Sequence, residues 1–146
     1  DANDINVQAL GDRLRFYGRL NTAELKTFFL GMDLMVSPNQ PYLLHPGNFD
    51  GFPTGCCAEA ALCGVAVMAT DILHQNPGYP PGQAMLFLPD RQEHIVQAIV
   101  QGVIQLLATP ERLKDCALQG QRLTRIFNAP SAQLGPRLAL LRAYCS

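Results

Sequence analysis

The run FDGFPTGCCAEAALCGVAVMATD, residues 49–71, concentrates the residue types that could do chemistry. Asp50, Gly51, Phe52, Pro53, Thr54 and Gly55 form a turn-rich stretch directly before a helix of small residues. Thr54 is a natural N-cap. The N–H groups that open a helix, together with the helix dipole, attract anions, phosphate above all. Gly51 and Gly55 let the backbone approach a ligand closely or adopt a positive φ. Glu59 lies a little over one turn into the helix, among Ala58, Ala60, Ala61 and Leu62. A carboxylate in such company calls for a polar partner, and its acceptor oxygens suit sugar hydroxyls. A phosphate at the helix start with hydroxyls at Glu59 describes a phosphorylated sugar or a nucleotide diphosphate sugar. The plainer reading is a turn, a capped helix and a solvated glutamate. The small, closely packing neighbours of Glu59 favour the ligand.

These residues need a frame that presents them. RLRFY, residues 13–17, alternates apolar and polar positions and predicts a strand with one wet face, at a sheet edge because of Arg13 and Arg15. Asn21 with Glu24 three residues later predicts a capping box, followed by Leu25, Phe28, Phe29 and Met32 at helical spacing. DLMVSP from Asp33 predicts a short buried strand ended by Pro38. The next segment, about fifteen residues without regular pattern, is long for a connection and therefore a candidate functional loop. The helix from about Gly55 to Cys63 stops at Gly64, and VAVMAT predicts a second buried strand. Prolines 77, 80 and 81 with glycines 78 and 82 exclude regular structure before a strand at AMLFLP.

Asp90 with Glu93 repeats the capping-box pattern and predicts a helix that buries Ile95, Val96, Ile99, Val103, Leu106 and Leu107. Thr109-Pro110 opens another, with Leu113, Cys116, Ala117, Leu123 and Phe127 on its stripe, and a last helix reaches Tyr144. Strands alternating with helices predict an α/β fold: a Rossmann-like, mainly parallel sheet of about four strands flanked by helices, with C-terminal helices from about residue 91.

Composition narrows the function classes. The chain has 146 residues, 48% hydrophobic and 16% charged, enough for one domain with a core. A formal charge of −1 with scattered basic residues leaves no electrostatic footprint for nucleic acid. No apolar run approaches the ~20 residues of a bilayer span. The five cysteines, at 56, 57, 63, 116 and 145, lack metal or redox spacing and read as reduced thiols of a cytoplasmic protein. His45, His74 and His94 have no mutual spacing for a metal, so no metal and no cofactor is expected. His45 and His74 do fall in the two irregular loops.

The turn-helix-strand run resembles the signature of retaining GT-B fold glycosyltransferases (the glycosyl transferases group 1 type). There a Gly-Phe-Gly or Gly-Phe-Pro turn precedes Glu-Ala-x-x-x-Gly-x-Pro-Val. The corresponding residues are Asp50-Gly51-Phe52-Pro53, then Glu59-Ala60-Ala61-Leu62-Cys63-Gly64-Val65-Ala66-Val67. RLRFYGRLNTAELKTFFLGMDLMVSPN is similar to the preceding part of the family pattern, and Asp90, Pro110 and Glu111 to its tail. The resemblance covers nearly the whole chain.

It implies that residues 1–146 are a single, partial nucleotide-sugar-binding domain, the later part of the GT-B C-terminal domain. Glu59 would hold the nucleotide ribose, and the backbone of Gly51, Phe52, Pro53, Thr54 and Gly55 the diphosphate and donor sugar. Gly18, Arg19 and Leu20 would lie beside the base. Asp50 stands one residue further from Glu59 than the family's acidic residue, and would take its catalytic place against the donor sugar if the turn bulges. Ala66 stands where the family has proline.

The implied activity is retaining transfer of a sugar from a nucleotide diphosphate sugar by the full-length protein. An acceptor domain is missing, as are two strands carrying a basic diphosphate clamp. The chain alone is therefore expected to be inactive and prone to self-association through open strand edges. A cytoplasmic location follows, any membrane contact being left to the missing domain. The rival readings are a nucleotide-sugar epimerase on the same fold and a non-catalytic binding or scaffold domain.

Overall fold

The structure, a computed structural model, describes residues 7–40, 42 and 51–145. Helix α1 (Val7–Leu10) runs into a 3₁₀ turn at Gly11–Arg13. Helix α2 (Thr22–Leu30) is followed by strand β1 (Leu34–Ser37). Helix α3 (Gly55–Leu62) crosses over to strand β2 (Ala66–Ala69), and a long loop leads to the two-residue strand β3 (Leu86–Phe87). Helices α4 (Gln92–Ala108), α5 (Pro110–Phe127) and α6 (Pro130–Tyr144) complete the chain.

The sheet has three strands in the order β1-β2-β3, all parallel. Leu34 pairs with Ala66, Ser37 with Ala69, and Ala69 in turn with Phe87. Every residue of the central strand β2 is buried, as a parallel strand covered on both faces must be. One core cluster gathers Phe29, Cys57, Ala60, Ala61, Val65, Val67, Tyr79 and Met85. The other joins Met68, Leu88, Ile95 and Leu106 on the opposite face.

Local signals place the start of α2 and both ends of α3. The Asn21 side chain accepts from the N–H groups of Ala23 (3.0 Å) and Glu24 (3.1 Å), and Glu24 accepts from the Asn21 N–H at 2.8 Å. Thr54 caps α3 by accepting from the Cys57 N–H at 3.4 Å. Gly64 takes φ +84° just beyond that helix, the left-handed position a glycine accommodates.

Three expectations are corrected. The sheet has three strands, not about four, because RLRFY forms none. Arg13 closes the 3₁₀ turn, donating to the carbonyls of Leu10 (3.3 Å) and Ala9 (3.0 Å), and Leu14–Gly18 has no regular structure. Alternation prepares a strand, but a ladder needs a partner, and among the described residues none pairs with this segment. Its Phe16 is 81% exposed.

The capping box at Asp90 does not form. The N-cap of α4 is Arg91, without a side-chain bond, while the Asp90 carboxylate lies 3.6 Å from His74 Nε2. Finally, α4 meets the sheet through Ile95, Ile99 and Leu106, which leaves Val96 72% and Leu107 75% exposed. Its apolar arc is wider than the surface it covers.

Burial raises two acids on the core side. It lifts the Tyr79 phenol above its ordinary value, with Thr124 hydrogen bonding pulling the other way and Cys57 adding to the rise. It also lifts the Cys116 thiol, opposed by Arg112. Both groups are neutral when folded and ionise more readily once unfolded. Their stabilisation is complete below the unfolded pKa values of 9.0 for Cys116 and 10.0 for Tyr79 and is lost as pH rises through the folded ones. Urea midpoints are accordingly expected to fall above about pH 9, and Cys116→Ala and Tyr79→Phe each to flatten that fall. An unchanged alkaline slope in both variants would show that other groups govern it.

A candidate ligand site at the carboxyl ends of the strands

Ligands of open parallel sheets bind beyond the carboxyl ends of the strands. Here those ends are Ser37, Ala69 and Phe87, and the chain beyond them is tied together. Thr70 donates its N–H to the Ser37 carbonyl at 3.3 Å, and its buried hydroxyl donates to the Asn39 carbonyl at 2.5 Å. Against this junction sits a cavity of about 20 Å³ lined by Asn39, Gly51, Phe52, Thr54, Thr70 and Asp71, among others. That is room for roughly one water, so a larger ligand would rest on it as a surface.

The turn residues divide their tasks. Phe52 belongs to the core, its ring 5.4 Å from Phe87 and 6.4 Å from Tyr79. Pro53 is half-buried. A Cβ on Gly55 would meet nothing within 4 Å, so packing does not demand glycine at the start of α3. Asp50 and His45 lie outside the described residues.

Glu59 is exposed. Helix α3 buries Cys57, Ala60 and Ala61, and Glu59 stands on another side, lining a groove of about 180 Å³ with Thr22, Leu25, Lys26, Leu62 and Cys63. Of the neighbours that suggested a polar partner, Ala60 and Ala61 turn into the core, whereas Leu62 is exposed and shares the groove with the carboxylate. Leu20 lines a further groove of about 580 Å³ with Tyr17, Ala23, Glu24 and Phe28. Gly18 has φ +64°, and Arg19 is exposed. The structure thus brings Gly51, Phe52 and Thr54 together but places Glu59 and Leu20 in other concavities.

Sequence reasoning missed Asn39, Thr70 and Asp71. Their signal was present: each follows an apolar strand-length run, the position where a parallel sheet offers polar groups. Asp71 also shapes the loop that follows, accepting from the N–H groups of Gln75 (2.7 Å) and Asn76 (2.9 Å).

Among the described residues no group of three or more His, Cys, Asp or Glu could hold a metal ion. All five cysteines are free, with Cys57 and Cys116 buried and Cys56 and Cys145 exposed. No described helix is long and apolar enough to cross a membrane. Fold and site together define an α/β domain with a small parallel sheet and a polar junction at its carboxyl edge. Compared with known proteins, the chain matches no family, no curated protein and no solved structure.

Proposed function

We propose that the chain is the C-terminal, nucleotide-sugar-binding part of a glycosyltransferase, moving a sugar from a nucleotide diphosphate sugar to an acceptor held by another domain. The observation that carries this reading is the place of the Gly51–Thr54 turn. It lines the junction at the strand ends immediately before the capped start of α3. Open N–H groups there suit a diphosphate. Glu59, exposed on the same helix, is free to take ribose hydroxyls, and Asp50 would face the donor sugar. The leaving diphosphate would be stabilised by fixed N–H dipoles, the usual largest contribution to such a transfer.

Calorimetric titration of the full-length protein with a panel of nucleotide diphosphate sugars tests the reading. Glu59→Gln exchanges a charged acceptor for a neutral one at an exposed position. It is expected to weaken binding by about 1.5 kcal/mol, roughly tenfold, without changing the unfolding midpoint. Equal affinity in the variant removes Glu59 from the site, and no binding of any nucleotide sugar sinks the proposal.

A second reading, a binding or scaffold domain without catalysis, is favoured by the small size of the junction cavity and the separate groove of Glu59. It predicts donor binding with no donor hydrolysis or transfer by the full-length protein.

A further inference from the structure

Beside the junction, between the loop after β2 and the end of β3, lies an open cleft of about 340 Å³. Asp71, His74, Asn76, Pro81, Phe87 and Asp90 line it, with Leu88. The volume is at the low end for small-molecule sites, ~300–1,000 Å³. The loop wall is held from several sides. Asp71 accepts from two backbone N–H groups, and Asn76 accepts from the N–H groups of Gly78 (3.1 Å) and Tyr79 (2.8 Å) while donating to the Tyr79 carbonyl (2.9 Å). Tyr79 anchors this network in the core. Within that wall His74 adopts φ +52°, a conformation uncommon for a side-chain-bearing residue. Its Nε2 faces Asp90 Oδ2 at 3.6 Å.

The separation is too long for a hydrogen bond, yet a ligand hydroxyl can sit ~2.8 Å from both atoms at once. It would donate to the carboxylate and accept from the imidazole N–H. Neighbouring hydroxyls on one ring would serve the two groups equally well. Pro81, Phe87 and Leu88 add an apolar wall against which the C–H face of such a ring can lie. Among the described residues no Lys or Arg lines the cleft, which disfavours phosphate. Asp71 is engaged by two backbone N–H groups, so Asp90 is the carboxylate more open to a ligand.

We propose that this cleft binds a monosaccharide ring, with His74 and Asp90 holding its hydroxyls. The proposal stands on a different cavity from the nucleotide reading and does not require it.

Saturation-transfer NMR on the full chain tests it, with the methyl α-glycosides of glucose, galactose and mannose as probes and cyclohexanol as an apolar ring of similar size. At least one glycoside is expected to receive saturation at its ring protons. That signal should fall about tenfold in Asp90→Asn, the loss of a charge-assisted hydrogen bond, and several-fold in His74→Ala. Both side chains are exposed, so both variants should fold. No transfer to any of the three glycosides, full transfer in both variants, or equal transfer to cyclohexanol would overturn the proposal.

Discussion

Tyr79→Ala is expected to destabilise the chain by about 3–5 kcal/mol, the range for emptying an aromatic site in a core. The ring is 1% exposed and meets Phe127 edge-on, with centroids 4.9 Å apart at 79°. Its hydroxyl is 3.0 Å from Thr124 Oγ1, an atom with no exposure of its own to fall back on. The Asn76 bonds that hold the loop wall go to the Tyr79 backbone N–H and carbonyl, which truncation leaves in place, so the loss is one of core packing and of the Thr124 contact. Tyr79→Phe keeps the ring and strands only the threonine hydroxyl, at roughly 1–2 kcal/mol. Urea unfolding with an unchanged slope measures both. Equal, small losses in the two variants would mean that the ring is not what fills this part of the core.

Gly120→Ala is expected to cost about 2–3 kcal/mol although alanine favours helices by ~1 kcal/mol. A Cβ there would lie 2.7 Å from the Ala84 carbonyl oxygen, and backbone cannot turn aside as a side chain can. Helix α5 therefore comes close to the loop before β3 only because position 120 is bare. Gly102→Ala is the control. Its Cβ would meet Met68 Cε at 2.6 Å, the far end of a flexible chain that can swing away. That variant should lie within about 1 kcal/mol of the parent, the propensity gain offsetting the adjustment. If thermal unfolding ranks the two variants the other way, the approach of α5 is not limiting.

Much of the frame was legible in the chain because its causes are local. The capping box at Asn21 and Glu24, Thr54 before α3 and Gly64 after it, and Pro110 opening α5 each act within a few residues. The apolar runs that became β1 and β2 were equally clear as strands; β2 is buried throughout as expected, whereas β1, at the sheet edge, buries Ser37 and leaves Leu34, Met35 and Val36 half-buried. Asp90 with Glu93 shows the limit. The spacing was that of a cap, but the Asp90 carboxylate lies near a histidine sixteen positions earlier in the chain, which no local pattern can report.

What the sequence by itself determined are the turn and helix boundaries, the α/β alternation and the polar character of the segments after the strands. These depend on backbone preference and hydrophobic period, properties of short windows. Tertiary structure decided the rest. It settled that RLRFY pairs with no strand among the described residues, that α4 covers the sheet with only part of its apolar arc, and that Glu59 opens onto a different groove from Gly51 and Thr54. It also set His74 opposite Asp90 across a cleft. Pairing and shared cavities depend on contacts between distant segments, and their geometry exists only once the chain has closed on itself.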